Sequence, residues 1–185
     1  DWALWERFRG QVRHPCTLFQ EADVARARAN LARHEWAAAW AAGQRRAADA
    51  ILPQLTPGYL ADMAEVTTPG AMGPCPACRD RGLRWHPNGQ WSWSPRTPNQ
   101  MTCAVCKTVF PNERYPESVE VRSTWDPRQV FRFCGGETFK CFGYTQARPT
   151  FTGIIRAYKL GHLTGQLRAL ALAYAISAEP RYAVG

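Results

Sequence analysis

Two cysteine pairs, Cys75-Pro76-Ala77-Cys78 and Cys103-Ala104-Val105-Cys106, are the stretches of sequence that decide how the middle of this chain folds. A C-x-x-C turn directs two thiolates toward one point, and two such turns complete a tetrahedron of sulfur around a zinc ion. Between the pairs, Pro87-Asn88-Gly89 is a turn signal, and the alternation Trp91-Ser92-Trp93-Ser94 is typical of a strand. The sequence therefore predicts a four-cysteine zinc module over residues 73–111.

The other uses of paired cysteines are redox chemistry and disulfides. One shared metal explains two pairs in a small unit more simply than redox activity does, while disulfides remain an alternative. Four thiolates leave no open position on zinc, so the ion would be structural, and its binding free energy would be about 10 kcal/mol or more. Arg79 and Lys107 stand where such knuckles often have glycine. We expect either local strain or differently directed N–H groups at these positions, and charges that partly offset the thiolates.

The three remaining cysteines are expected to be small buried hydrophobes, with a Cys134–Cys141 disulfide as the alternative in an exported protein. They are Cys16, Cys134 and Cys141.

Sequence rich in alanine and arginine predicts helices on both sides of this module. Residues 17–52 have helical periodicity with a break near His34, and Pro53 ends the run because the residue before proline avoids helical geometry. Two apolar faces fit this periodicity: Val24, Ala27 and Leu31 on one, and Trp36, Trp40, Ala47 and Ile51 on the other. Residues 151–176 predict one helix about 39 Å long, apolar over most of its circumference in its latter half. Its apolar stripe is expected at Leu160, Leu163, Leu167, Leu170 and Tyr174. Because such a helix is normally buried between others, we expect this chain to be a piece of a longer protein.

Charge and composition narrow the classes of function. The 185 residues include 23 Lys+Arg and 15 Asp+Glu, a formal net charge of +8. This excess favours polyanionic partners such as nucleic acid, an anionic membrane surface or an acidic polysaccharide, although solvation of arginine-rich helices explains it equally well. No stretch approaches the roughly 18–20 apolar residues of a membrane span. Composition therefore excludes a membrane-spanning protein and leaves the reaction open.

Three segments, in chain order, resemble the heparinase II/III-like polysaccharide lyases. The first runs from His14-Pro15-Cys16-Thr17-Leu18-Phe19 into Glu21-Ala22-Asp23-Val24 and an arginine-rich helix. The second is the double C-x-x-C with Val109-Phe110-Pro111-Asn112 behind it, which is similar to the zinc-binding insert of some members. The third is the helix end at 170–176 followed by Glu179-Pro180-Arg181-Tyr182-Ala183; residues 177–180 replace the family's usual Thr-Gly-Asp turn.

The resemblance implies a mainly α fold, namely the N-terminal part of an incomplete (α/α) toroid with a small four-cysteine zinc-ribbon-like insert of short β-strands. The expected division is an N-terminal helical region over residues 1–72, the insert over 73–111, an irregular connecting region over 112–150 and the start of the truncated toroid over 151–185.

The same resemblance implies a function. These lyases cleave uronic-acid-containing polysaccharides, such as glycosaminoglycans or alginate, by β-elimination, and members are usually exported to the periplasm or the extracellular space. Their catalytic Tyr and His would lie beyond Gly185, so no catalytic residue is assigned, and this part of the polypeptide is expected to be inactive alone. The expected partners are an anionic polysaccharide and the missing C-terminal part of the chain.

The segment before the long helix supplies the candidate substrate contacts Tyr144, Gln146 and Arg148. A loop on a toroid rim could face the cleft, where Arg148 would pair bidentately with a uronate carboxylate; the alternative is that Arg148 ties loop carbonyls together. A polar row on the long helix is expected to be a solvated seam or a seam between helices rather than a set of sugar contacts: Lys159, His162 and Gln166.

Two rival functions remain. A non-enzymatic zinc-ribbon protein could bind nucleic acid through arginines and tryptophans interleaved over residues 79–102, but it does not need the alanine-rich helices, so nucleic acid is the less favoured partner. A toroid homologue could also keep the glycan cleft and lack the chemistry.

Overall fold

The computed structural model describes residues 2–11, 20–65, 73–124, 126, 128–135, 139–141, 144–146 and 149–183, with backbone alone at 139–141 and 144–146. The chain forms two compact units. The first comprises Asp1–Leu55 and Gln166–Gly185, and the second comprises Thr56–Gly165.

Helices make up the described part of the first unit. They are α1 (Trp2–Phe8), α2 (Glu21–Arg33), α3 (Glu35–Ile51) and the second half of the long helix described below, with short 3-10 turns at Arg9–Gln11, Leu52–Gln54 and Pro180–Tyr182. His34 separates α2 from α3 in an extended conformation (φ −132°, ψ 122°), at the predicted break. Asp23 caps α2 by accepting a hydrogen bond of 2.8 Å from the backbone N–H of Gln20.

Small side chains form the buried face of α3. Its buried residues are Ala37, Ala41 and Ala48, and the core of this unit continues through Leu170, Ala173 and Tyr182. The sequence periodicity placed Trp36 and Trp40 on an apolar face, yet they are 70% and 46% exposed. That expectation is wrong because alanine lets neighbouring helices approach closely, and a bulky ring would not fit at the same spacing.

The second unit contains short antiparallel strands and two short helices in addition to the first half of the long helix. The helices are α4 (Pro57–Met63) and α5 (Pro76–Asp80). A three-stranded sheet has the order β1 (Trp91–Trp93), β2 (Met101–Cys103), β3 (Val109–Phe110). Two further antiparallel pairs are β4 (Val119–Arg122) with β5 (Val130–Phe133), and β6 (Phe139–Cys141) with β7 (Tyr144–Gln146). This mainly helical chain with small sheets agrees with the predicted class, while the toroid stays a prediction.

The long helix, α6 (Phe151–Ser177), contributes residues to both units. Glu117 and Thr150 fix its first turn. One carboxylate oxygen of Glu117 accepts hydrogen bonds from the backbone N–H groups of Phe151 (2.6 Å) and Thr152 (3.1 Å), and Thr150 Oγ1 accepts one from Gly153 (3.0 Å). These bonds satisfy N–H groups that have no partner within the helix and set a negative charge at its positive end.

The buried face of α6 differs from the leucine stripe expected from its sequence. Its buried apolar residues are Phe151, Ile154, Ile155, Leu170 and Ala173. By contrast Leu160, Leu167 and Tyr174 are 41%, 62% and 44% exposed. The described residues therefore cover only part of the apolar surface of α6. Even so, none of the described helices has the length and apolar character needed to cross a membrane.

Candidate metal centre

The four cysteines chosen from the sequence lie together as one cluster. All four Sγ atoms lie within 4.8 Å of one another; the Cys75–Cys106 and Cys78–Cys103 sulfur pairs are 3.6 and 3.5 Å apart. Zn–S bonds of about 2.3 Å would place the corners of a tetrahedron about 3.8 Å apart, whereas a disulfide needs about 2.05 Å. The thiols are free, and the cluster can hold a metal ion.

Two folded knuckles bring these thiols to one point. In the first, Cys75 precedes α5 and Cys78 lies inside it, and the N–H of Arg79 donates to the carbonyl of Cys75. In the second, the N–H of Lys107 donates to the carbonyl of Cys103 at 3.0 Å. Antiparallel pairing of β1 with β2 fixes Cys103 opposite Trp91. The sheet therefore positions the second knuckle.

The acidities of Cys75, Cys78 and Cys106 are shifted by their surroundings. Burial raises the pKa of Cys75 far above its ordinary value and raises the pKa of Cys78 to about 11. Burial also opposes ionisation of Cys106, but hydrogen bonding by the side chain and backbone of Thr108 outweighs it and lowers the pKa of Cys106 to about 6. Cys106 therefore loses its proton more readily than Cys75 or Cys78. A bound divalent ion would displace the other protons, so metal affinity should fall as the pH falls.

The positions that often hold glycine in such knuckles behave differently from each other. Lys107 has φ 59°, in the left-handed region that disfavours side chains, and its Nζ donates to the carbonyl of Ala104 at 2.7 Å. Arg79 lies within α5 in helical geometry. Of the two expected points of strain, Lys107 is therefore strained and Arg79 is not. Arg81 adds a third cation, with Nη1 3.3 Å from the carbonyl of Cys106.

The cluster is part of the core of the second unit. Three of its cysteines share one buried cluster with Met101, Phe110 and Phe151, among others. The rings of Phe110 and Phe151 stack with centroids 4.4 Å apart, and Trp91 contacts Phe110 edge to face at 5.5 Å. Since Phe151 is the first residue of α6, the start of that helix packs directly on the metal module.

The polar row expected on α6 takes part in internal contacts. The buried Lys159 Nζ donates to the carbonyl and a carboxylate oxygen of Asp62 at 3.0 and 3.1 Å, and to Asn99 Oδ1 at 2.6 Å. Because Asp62 belongs to α4, this is a bond between two helices, which agrees with the expected polar seam. Within the first unit, Gln166 lies 3.5 Å from the side chain of Gln54, and in the second the ring of His162 lies 5.7 Å from that of Trp93.

The candidate substrate contacts are not brought to any site by the described residues. Arg148 lies outside them, and only the backbone of Tyr144 and Gln146 is described, in β7. Their role stays a prediction. Of the other cysteines, Cys16 lies outside the described residues and Cys141 is described by backbone alone, while Cys134 is a free, buried thiol with its pKa raised to about 12 by burial and by Glu117.

Sequence reasoning missed a group of polar residues beside the first knuckle. Tyr115 donates a hydrogen bond of 2.9 Å from its hydroxyl to Asp80, and Arg114 places its guanidinium over the Tyr115 ring, 5.5 Å from the centroid. These residues line a pocket of about 270 Å³. Asp80 ends the short helix α5 and Tyr115 lies 35 residues later in an irregular segment, so no periodicity could have joined them.

Comparison with protein-family models, curated proteins and solved structures finds no match to this chain. The site is therefore defined by its geometry alone, as a cluster of four cysteines able to bind a metal ion.

Proposed function

We propose that the four cysteines bind one zinc ion as a structural centre. The observation that carries this proposal is the convergence of four thiols, three of them buried, at distances close to the edges of a ZnS₄ tetrahedron. Four thiolates suit zinc or iron among the common metals. Zinc with four thiolates has no open position for a substrate, so its contribution is to the stability of the fold.

Metal analysis of the purified chain tests this proposal. We expect about one zinc per chain, and loss of the zinc in Cys78→Ser. Cys134→Ser is the matched control, because Cys134 is also buried but lies outside the cluster, and it should keep the metal. Iron in place of zinc, or a folded protein without metal, would contradict the proposal.

We further propose that this chain is the N-terminal part of a polysaccharide lyase that cleaves uronic-acid-containing polysaccharide and is exported to the periplasm or the extracellular space. The resemblance of three segments in the family's order carries the proposal, and the four-cysteine cluster at the position of the family's insert supports it. The exposed apolar residues Leu160, Leu167 and Tyr174 give further support, because a toroid would pack more helices against α6.

The reaction proposed for the whole polypeptide is a β-elimination. A base removes the C5 proton of a uronate, the electron pair forms the C4–C5 double bond, and the C4–O bond to the next sugar breaks. An acid then protonates the departing oxygen. The groups that do this are proposed to lie beyond Gly185, and the part described here would act as scaffold. Zinc coordination would protect the thiolates from oxidation in an exported protein.

Product formation by the complete polypeptide tests the lyase proposal. Unsaturated uronate ends absorb in the ultraviolet, and we expect this absorbance to appear with at least one of heparan sulfate, hyaluronan, chondroitin sulfate and alginate. The 185-residue chain alone should give none. Turnover by this chain alone would show that the catalytic groups lie within these 185 residues and not beyond Gly185. A full-length protein that gives no ultraviolet absorbance with any of these polysaccharides would refute the lyase assignment.

The contacts of the tryptophans disfavour the rival function in nucleic-acid binding. The indole N–H groups of Trp91 and Trp93 donate to the carbonyls of Gly73 and Pro98, and the Trp93 ring stacks on Tyr158 at 6.1 Å. These rings therefore support the module's core and its contact with α6, whereas a single-strand binder presents such rings to bases.

A further inference from the structure

The pocket of about 270 Å³ beside the first knuckle has the charges of a binding site. It is lined by two arginines, Arg79 and Arg114, and by the carboxylate of Asp80. The planar guanidinium group is the side chain best suited to pair with a carboxylate through two parallel hydrogen bonds. The pocket can therefore hold one carboxylate and still offer an acceptor of its own.

The polar groups of the pocket are held in place by one another. The Tyr115 hydroxyl donates to one oxygen of Asp80 at 2.9 Å, and Arg114 lies over the same ring. Burial and the neighbouring Asp80 raise the pKa of Tyr115, so its hydroxyl remains a donor at neutral pH. The second oxygen of Asp80 can accept a hydrogen bond from a ligand hydroxyl.

Apart from Ser118, the remaining walls of the pocket are apolar. Three proline rings and the buried thiol of Cys134 provide them: Pro76, Pro116, Pro149 and Cys134. Flat, rigid apolar surfaces of this kind suit the C–H face of a sugar ring. A volume of about 270 Å³ lies just below the range of drug-sized sites and has room for about one monosaccharide unit.

We infer that this pocket binds one uronate residue of an anionic polysaccharide. Arg114 receives the carboxylate, Arg79 adds positive charge to the same wall, Asp80 accepts a hydrogen bond from a ring hydroxyl, and the prolines cover a face of the sugar. The inference rests on the proposed function, because that proposal supplies the polymer, a uronic-acid-containing polysaccharide. It gives the metal module a second role, because Arg79 and Asp80 lie in the same short helix as Cys78.

The combination of groups favours a uronate over a nucleic-acid phosphate. A DNA phosphodiester would pair with Arg114, but its backbone brings no hydroxyl donor for Asp80. A uronate supplies both the anion and the hydroxyl groups on one saturated ring. A site discriminates between ligands in this way when one ligand pairs with each of its polar groups and the other leaves one of them without a partner.

Titration of the isotope-labelled, metal-loaded 185-residue chain, followed by NMR, tests the inference. With tetra-mannuronate we expect saturable shifts in the backbone amides of Tyr115, Ser118 and Gly135, all of which line the pocket. The neutral counterpart, mannotetraose, should give no shift at the same concentration. Arg114→Ala should weaken binding at least about tenfold, because the free energy of a hydrogen bond to a charged group corresponds to a change in affinity of that size.

Arg96→Ala is the matched control, because it removes the same charge from an exposed position outside the pocket; its affinity should stay within about twofold of the parent. If Arg114→Ala does not fold, Tyr115→Phe keeps the ring, removes the bond to Asp80 and should weaken binding about threefold or more.

Several results would overturn the inference. They are equal binding of mannotetraose, unchanged affinity in Arg114→Ala, shifts outside the pocket, or tighter binding of a single-stranded oligonucleotide at the same amides. Failure here is distinguishable from failure of the lyase proposal. Lyase activity of the full polypeptide without pocket shifts refutes this inference alone, whereas pocket shifts without unsaturated products refute the lyase proposal alone.

Discussion

Removing the metal should unfold the second unit locally and leave the first unit intact. Structural zinc in small thiolate sites contributes on the order of 10 kcal/mol, which is comparable to the whole stability of a typical domain, about 5–15 kcal/mol. Three of the ten residues in the buried core cluster of the second unit belong to the four-cysteine site, namely Cys75, Cys78 and Cys103. Without the ion, this core loses its central cross-link, while the first unit keeps a separate core at Ala48, Leu170, Ala173 and Tyr182.

Hydrogen exchange measured by mass spectrometry checks this prediction peptide by peptide. After chelation, amides in β1, β2, β3 and the first two turns of α6 should exchange near the rate of an unprotected chain, because Phe151 packs on Phe110. Amides of α2 and α3 should keep their protection. Adding back zinc should restore the original pattern. Unchanged protection in β1–β3, in protein shown to be metal-free, would refute the reasoning.

Three further predictions concern single side chains. Glu117→Ala should lower the unfolding free energy by about 1–3 kcal/mol, because it removes the acceptor of two N–H groups at the start of α6. Glu120→Ala, in the exposed part of β4, is the control. An equal loss of unfolding free energy in both variants would contradict the capping role of Glu117. Asp62→Asn should lower the unfolding free energy by about 1 kcal/mol near neutral pH, allowing for the exposure of this carboxylate. The hydrogen bond from Lys159 lowers the pKa of Asp62 from its ordinary 3.8, so this difference should persist above that value and vanish as the pH falls through the lowered pKa; a pH-independent difference in chemical denaturation would contradict it. Lys107→Gly should raise the midpoint of thermal unfolding, since glycine relieves about 1 kcal/mol of strain at φ 59°, and a lower midpoint would show that the bond from Lys107 to Ala104 matters more.

Local patterns in the sequence predicted the features that depend on local chemistry. The spacing of the two C-x-x-C pairs identified the four clustered thiols, since each knuckle closes within a few residues. Alternation predicted β1, and the extended residue His34 lies at the predicted helix break. The long helix ends at Ser177, one residue after its predicted end. The unusual Lys107 was also visible, because a knuckle position that often holds glycine was occupied by a side chain.

Features that depend on long-range packing could not be predicted in this way. Trp36 and Trp40 matched an apolar period, but periodicity does not tell which of two adjacent faces a neighbouring helix covers, and the alanine face is buried. The cap on α6 comes from Glu117, 34 residues before Phe151. The bond from Tyr115 to Asp80 likewise joins an irregular segment to the end of α5, and the two share no sequence pattern.

X-ray absorption at the zinc edge of the purified chain tests the metal centre most directly. The arrangement of Cys75, Cys78, Cys103 and Cys106 predicts four sulfur neighbours at about 2.3 Å, with no nitrogen or oxygen in the coordination shell. A shell containing nitrogen or oxygen, or fewer than four sulfur atoms around the ion, would contradict a closed structural site.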